Sequence, residues 1–280
     1  MLITVLMSVY NGEKYLNESI RSVLTQSYSD FEFVIVDDCS NDKTIEIVES
    51  FNDPRIKLLR NESNLGLSAS LNRGIKSSSG KYIARHDDDD ISHINRLQNQ
   101  LNFMEISDNV DAVFCRYKLF DRLGNIYNSE SSFYNDESAI VEALQNKTNP
   151  LAHGSAMIRS DSLINLGGYN NKFIFGQDYE LWTRMLNEKK SIIMVNHVGY
   201  YHRVSFNCDK KKWQERFAIL VDKREQIGEV EFLRRVDKTY HEFSNNREND
   251  KTIKLWEILH NCREHIKLRL HFLLILLKKR

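Results

Sequence analysis

Proline is nearly missing from this chain of 280 residues: there are 2, alongside only 11 glycines. Collagen-like and low-complexity architectures need both in quantity, so both are excluded. Cysteine is scarce as well. The 4 stand at positions 39, 115, 208 and 262, and no two have zinc-type C-x-x-C spacing. A chain of this length needs no disulfide staples, and a reducing compartment is expected. No apolar run reaches the ~18–20 residues that span a bilayer. The longest, LHFLLILL at 270–277, is followed by three basic residues. The opening MLITVLMSVYNG has neither a basic segment nor a small-residue cleavage site, and it reads as a strand rather than a leader. Net charge is missing too: 39 Lys and Arg balance 39 Asp and Glu. A generally nucleic-acid-binding surface is basic, so that class is excluded.

What is present is globular. Hydrophobic residues make up 41% and charged residues 28%, which argues against wholesale disorder. The length suits one large domain, or one domain with an appendage. The neutral sum hides a segregation. Residues 251–280 carry eight Lys or Arg against two acids, a net of +6, so residues 1–250 carry a net of −6.

The first hundred residues alternate short apolar runs with helical patterns. Strands are expected at 3–7, 31–36, 55–59 and 81–84, with helices at 13–26, 42–51, 67–78 and 94–106. FEFVIV at 31–36 is nearly continuous in apolar residues, as in a parallel strand covered on both faces. This rhythm calls for a doubly wound, mostly parallel α/β sheet with right-handed crossovers. Beyond it, strands are expected at 111–120, 155–159 and 191–201, a turn at 122–125, and helices at 136–145 and 178–187. From about 211 the chain reads as mostly helical.

Ligands of such sheets bind at the carboxyl ends of the strands. Three polar clusters sit there: Ser8-Val9-Tyr10-Asn11, Asp37-Asp38-Cys39-Ser40 and Asp87-Asp88-Asp89-Asp90. Four adjacent carboxylates repel one another unless a cation sits among them. Aspartate oxygens suit Mg²⁺ or Mn²⁺. Residues two apart face one side of an extended segment, so Asp87 with Asp89, or Asp88 with Asp90, can share a metal or a metal-bound diphosphate. The plain alternative is a solvated acidic loop. Asp37 and Asp38 suit hydrogen bonds to a nucleobase or ribose, or a helix cap that Asn41 and Asp42 also compete for. Tyr10 can stack on a base or simply pack.

Several chemistries lack their motifs. No G-x-G-x-x-G follows the first strand, and no G-x-x-x-x-G-K-[ST] or G-x-S-x-G occurs anywhere. Asp37-Asp38-Cys39-Ser40-Asn41 does not match the D-x-D-x-T of aspartate-based phosphatases. A sugar-nucleotide pyrophosphorylase is a further reading, but Tyr10-Asn11-Gly12-Glu13-Lys14 is not its Gly-rich, Arg-containing loop.

Four stretches together resemble the family-two, inverting glycosyltransferases of the A-type fold: SVYNGEKYLNESIRSVLTQSYSDFEFVIVDDCSNDKT, NLGLSASLNRGI, SGKYIARHDDDDIS and GQDYELWTRML. The resemblance covers about residues 1–205. It implies a catalytic domain at 1–205, with a nucleotide-sugar half at 1–106 and an acceptor half at 107–205. The remainder, 206–280, reads as a helical extension. The implied activity is metal-dependent transfer of a sugar, usually from a UDP-sugar, to a glycan or lipid-linked glycan acceptor. A surface polysaccharide such as capsule or O-antigen is the implied product. A nucleotide-sugar-binding module without catalysis is the alternative, and retention of both D-x-D and Asp178 argues against it.

Position by position, the resemblance places Ser8 and Tyr10 beside the base and Asp38 on the uracil, with Asp37 next to it. Arg73 would reach toward the pyrophosphate. Asp87 and Asp89 form the D-x-D that holds Mn²⁺ or Mg²⁺, Asp89 making the direct contact, with Asp88 beside it on the sugar diphosphate. Asp178 would be the general base; the acidic pair of the family reads Gln177-Asp178 here, so one carboxylate remains. His153 and Trp182 fall on the acceptor side. His202 stands in Tyr201-His202-Arg203-Val204, where many members carry Tyr-Arg-x-His.

The tail places Ile266, Leu270, Leu273, Leu274 and Leu277 on one helical face with basic residues around it. Such a helix can lie on an anionic membrane surface, or dock on the body or on a partner subunit. A cytoplasmic protein, peripheral on the inner face of the plasma membrane, is the corresponding expectation.

Overall fold

The structure, a computed structural model, describes residues 2–120, 124, 126–128, 137–146, 149–173 and 176–203. The expected helical extension at 206–280, and the membrane contact assigned to it, lie outside the described residues.

Nine strands form one sheet. They are β1 (Ile3–Val9), β2 (Phe31–Asp37), β3 (Ile56–Arg60), β4 (Tyr82–Arg85), β5 (Ile91–Ser92), β6 (Ala112–Phe120), β7 (Ile126–Asn128), β8 (Ala156–Arg159) and β9 (Ile192–Arg203). Their spatial order is β3-β2-β1-β4-β8-β6-β9-β5, with β7 paired to β6. The first four are mutually parallel, and their order reverses between β1 and β4. β8 then enters antiparallel to both β4 and β6. β6 and β9 run parallel over their whole length, with register breaks at Cys115/Arg116 and Arg116/Tyr117. The nucleotide-half expectation of parallel strands holds, and the second half is mixed.

The helices are α1 (Leu16–Leu24), α2 (Thr44–Ser50), α3 (Leu67–Ser77), α4 (Arg96–Ile106), α5 (Glu137–Gln145), α6 (Ser160–Asn165) and α7 (Gln177–Asn187). Side chains alternate across each strand, so the sheet carries a core on each face. Leu6 of β1, Val34 and Val36 of β2 and Ile83 of β4 pack beneath Leu71 and Ile75 of α3. Phe114, Leu181, Trp182 and Met185 continue the same layer. Ile3, Val5, Met7 and Val9 face the other way, with Phe33 and Ile35, against α1 and α4. Every residue of β1 is buried. A strand covered on both faces is mostly apolar, which is why β1 and β2 read as nearly continuous hydrophobic runs.

Several boundaries moved: β1 runs on to Val9, α1 ends at Leu24, α2 begins at Thr44 and β9 runs on to Arg203. Residues 13–15 form a turn, so α1 begins at Leu16, and α4 begins at Arg96 rather than 94. In the β2–α2 connection, Asp42 accepts from the Thr44 backbone N–H at 3.0 Å, so Asp42 rather than Asn41 tends the start of α2. β5 and α6 were not anticipated; both are too short to show a period.

Candidate active site

The parallel strands deliver their carboxyl ends to one edge. Ser8 is buried at the end of β1, and Tyr10 follows it with 48% of its surface exposed. The Asn11 backbone N–H donates to Ser40 Oγ and the Gly12 N–H to Thr44 Oγ1, each at 2.9 Å. These bonds lace the β1 loop to the β2 loop. A Cβ on Gly12 would stand 2.7 Å from Asp88 Oδ2, so the β1 loop also abuts the aspartate run.

Asp37 and Asp38 are buried, with 2% and 3% exposed. Asp38 Oδ1 accepts from Asn61 Nδ2 at 2.7 Å and from the Leu65 N–H at 2.8 Å; Oδ2 accepts from the Gly66 N–H at 2.8 Å. A carboxylate has about four lone-pair sites, and three of them are spent within the chain. Arg73, expected near the pyrophosphate, instead donates to the Arg60 carbonyl and to Asn61 Oδ1. The structure thus joins Arg73 to the Asp38 network. Together they fix the loop that leads into α3.

The aspartate run follows β4. Arg85, 1% exposed, donates to Asp87 Oδ1 at 2.6 Å and also to the His86 carbonyl. Burial opposes ionisation of Asp87, but Arg85 first, and then His153 and His202, hold its carboxyl well below the usual carboxylate range. Asp90 is fully buried and doubly engaged, by His202 Nδ1 at 2.9 Å and by the Arg203 backbone N–H at 2.6 Å. Burial disfavours charge on the His202 imidazole, yet Asp90, with Asp89 and Asp87 beyond it, pushes it up to about 9. Arg203 Nε donates to the Asp89 carbonyl at 2.7 Å, and its guanidinium lies 4.1 Å and 4.3 Å from the ring centres of Tyr15 and Phe120.

Asp88 and Asp89 are left over. Neither forms an ion pair among the described residues. Burial, and then the Asp87 charge, push Asp88 up to about 7. Burial, with Asp90, Asp88 and Asp87, pushes Asp89 up to about 8. A divalent cation removes that strain. Among the described residues no three His, Cys, Asp or Glu side chains converge to form a closed metal cage. Mg²⁺-type sites need none, because one or two carboxylates suffice when diphosphate oxygens and water fill the other positions. The donor set therefore fits a metal held by Asp89 and Asp87 with a diphosphate.

Behind the run lies a polar network that sequence reasoning missed. Arg96 is 1% exposed. It donates to the carbonyls of Arg85 (2.7 Å) and Ala156 (3.1 Å), to Ser92 Oγ (2.9 Å) and to Gln100 Oε1 (3.0 Å). His86 sits between Ser19 Oγ and Ser92 Oγ, at 3.0 and 3.1 Å. Burial, and then Arg96, hold it well below the usual histidine range, so it is neutral. Both ends of the aspartate run are thereby tied to the strand that follows the His153 turn.

The acceptor-side residues arrive from β8 and α7. His153 opens a single 3-10 turn, His153–Ser155. Gly154 there is obligatory: a Cβ would stand 1.8 Å from Tyr200 Oη and 2.7 Å from Asp87 Oδ2. His153 Nε2 and Tyr169 Oη are 2.7 Å apart. The buried Tyr169 phenol lies within electrostatic reach of Arg85, Asp178 and Asp87. Asp178 stands in the first turn of α7 and accepts from Asn149 Nδ2 at 2.9 Å. His153, Asp87 and Asp178 are thus gathered around one tyrosine. Trp182 is a correction. It is completely buried, edge-on to Phe114 at 4.8 Å and 6.2 Å from His153. It supports the His153 turn from below and does not line an acceptor surface, because its helix stripe, Leu181 and Met185, is the core-facing one.

The profile of glycosyl transferase family 2 matches residues 4–167. The chain belongs to glycosyltransferase family 2. An uncharacterized glycosyltransferase of Methanocaldococcus jannaschii is 38% identical over 191 residues, 66% of this chain and 64% of that protein. The chain therefore spans just under two thirds of that relative's length. A relative in Escherichia coli, the UDP-Glc:alpha-D-GlcNAc-diphosphoundecaprenol beta-1,3-glucosyltransferase WfgD, is 31% identical over 208 residues, 73% of this chain and 78% of that one. Among solved structures, S. aureus TarS 1-349 in complex with UDP-GlcNAc aligns with a TM-score of 0.63 at 21% identity, covering 91% of this chain and 76% of that chain. That likeness establishes the A-type fold of this glycosyltransferase. No helix among its described residues is long and apolar enough to cross a membrane.

Proposed function

We propose that this glycosyltransferase moves a sugar from a UDP-sugar to a hydroxyl of a glycan or lipid-linked glycan, with inversion, in surface polysaccharide synthesis. One observation carries the reading. An unneutralised carboxylate pair, Asp88 and Asp89, stands at the switch point of the sheet, and a separate carboxylate, Asp178, approaches the same Tyr169 as Asp87 does. The first suits a metal diphosphate, and the second suits an acceptor hydroxyl. The activity that WfgD is named for supports a UDP donor and a lipid-diphosphate acceptor. The UDP-GlcNAc held by TarS supports the donor class.

Exposed Tyr10 offers a face to the base, beside the loop that Asp38 and Arg73 hold rigid. Asp89 and Asp87 would hold Mn²⁺ or Mg²⁺, which would supply positive charge to the leaving diphosphate. Asp178 accepts the proton of the acceptor hydroxyl while that oxygen bonds to the anomeric carbon. The bond from that carbon to the diphosphate oxygen breaks, and its electron pair leaves with UDP. His153, oriented by Tyr169, contacts the acceptor. The basic, apolar stretch 251–280 would bring the site to a lipid-linked acceptor at a membrane surface, which sedimentation with anionic vesicles tests.

A panel of nucleotide-sugars, read as metal-dependent release of UDP or GDP, identifies the donor. Asp178→Asn is then expected to lose ~10²–10⁴-fold in turnover, the worth of a positioned base, with UDP affinity unchanged. Near-wild-type turnover of that variant overturns the base assignment.

A further inference from the structure

We propose that Asn149 is the positioning residue of Asp178: its amide sets the direction and proton affinity of that carboxylate. The inference rests on the reading of Asp178 as the base.

Asn149 follows α5 and directly precedes Pro150. Its side chain is used twice. Oδ1 accepts the Leu151 backbone N–H at 3.2 Å, and Nδ2 donates to Asp178 Oδ2 at 2.9 Å. The amide cannot be turned around. A backbone N–H only donates and a carboxylate only accepts, so the two partners dictate which end is oxygen. The turn that carries it is itself anchored. Pro150 restricts the backbone at both 149 and 150, and Leu151, 3% exposed, enters the same core as Leu181, Trp182 and Met185 of α7. Donor and acceptor thus sit on two elements locked into one core layer. A hydrogen bond between such elements selects a single carboxylate orientation. It also favours the ionised form, because the amide proton is offered to the charged oxygen.

Three of the groups near Asp178 are distinguishable from Asn149. The Tyr169 phenol faces it from the segment before α7, with His153 bonded behind and Arg85 and Asp87 beyond. On its own helix, Glu180 and Arg184 pair with each other at 2.8 Å. None of these supplies the Oδ2 contact that Asn149 makes.

The deciding measurement, a titration, needs no identified substrate. The full chain, labelled with ¹³C at aspartate carboxyls, is titrated by NMR, and the Asp178 signal is assigned by its disappearance in Asp178→Asn. The Asp178 midpoint is expected to rise by about half a unit to one unit in Asn149→Ala and in Asn149→Ser, which keeps a local turn acceptor but is too short to reach. It is expected to rise further in Asn149→Asp, which sets one carboxylate against another. UDP affinity with Mn²⁺ stays at the wild-type value in all three, which shows a folded donor site. Release of UDP from UDP-GlcNAc falls roughly 10-fold or more in kcat, with KM unchanged. A midpoint that does not move in either neutral variant overturns the inference. The two readings fail separately. If Asp178→Asn keeps its turnover, the base reading falls while a shifted midpoint still supports the hold of Asn149 on the carboxylate. If Asp178→Asn is dead and the midpoint is fixed, only the role of Asn149 falls.

Discussion

Two acidic clusters stand at the carboxyl ends of β2 and β4, the strands on either side of β1, and they are built in opposite ways. At Asp37-Asp38 the chain supplies the hydrogen bonds itself: Asn61, Leu65 and Gly66 fill Asp38, and the Ser40 N–H approaches Asp37 at 3.3 Å. At the second cluster the chain stops half-way. Asp87 has Arg85, and Asp90 has His202 and Arg203, but Asp88 and Asp89 have no such partner and are pushed up to about 7 and about 8. The difference teaches what each cluster is for. A carboxylate whose donors are built in is a structural strut that shapes a pocket. A half-buried carboxylate pair without an ion-pair partner among the described residues suits a cation that arrives with a ligand.

The largest effect follows from breaking the unfinished cluster. Asp89→Asn keeps the shape and removes one charge from the metal position. Metal-dependent release of UDP is expected to drop by roughly 10²–10³-fold, the scale of losing one electrostatic stabiliser of the leaving group. The metal-free variant is expected to be at least as stable as the wild type, most clearly above about pH 8, where Asp89 would otherwise carry a repelling charge. Equal turnover with and without the substitution, or a clear loss of metal-free stability, would mean that Asp89 belongs to the structural kind.

Asp38→Ala tests the opposite cluster and has the opposite sign. It removes one of the two acceptors of Asn61 Nδ2, which keeps Ser70 Oγ at 2.8 Å, and leaves two part-buried backbone N–H groups without the carboxylate. Stability is expected to fall by about 2–4 kcal/mol, since each buried donor left unpaired costs about 1–3 kcal/mol before water relaxes into the gap. Urea unfolding measures it. A change below about 0.5 kcal/mol would show that the Asp38 network is not the strut it resembles.

How much of this was legible in the sequence depends on distance along the chain. Strands β1, β2 and β4 could be read because burial on both faces leaves short, mostly apolar runs, and the three polar clusters could be read because they end those runs. The antiparallel entry of β8 could not: AMIR has the same pattern in either direction. Nor could the partition of the aspartates. It is decided by Arg85 within the run's own strand, but also by Arg203, 114 residues from Asp89, and no local period links them. Trp182 was misjudged for the reverse reason. Its own stripe, with Leu181 and Met185, already marked it as core. Arg96 carried no warning, because a fully buried arginine is rare and only the convergence of four acceptors explains it.

The smallest effect is a slope of stability against pH, and it reads the comparison without any mutation. In the unfolded chain Asp88 and Asp89 release their protons near the ordinary carboxylate value of about 4. In the folded, metal-free chain they hold them up to about 7 and about 8. At these two groups the native state therefore binds more protons than the unfolded state across that window, and their contribution to stability falls as pH rises from about 4 to about 8. His202 extends the fall. Its folded value is about 9 against an ordinary value of about 6.5, so its contribution is complete below about 6.5 and is lost as pH rises through about 9. Calorimetry of the metal-free protein is expected to show Tm dropping by about 2–4 °C or more between about pH 6.5 and about pH 8, above the range in which His86, neutral in the fold, gains a proton on unfolding and tilts the slope the other way. Mn²⁺ with UDP should flatten the upper part of that profile, because a cation on Asp89 replaces the proton. Asp89→Asn should flatten it without any metal. Asp38→Ala lowers the whole curve and leaves its slope alone. If the metal-free wild type is flat, or if Asp38→Ala changes the slope while Asp89→Asn does not, the two clusters have been assigned the wrong way round.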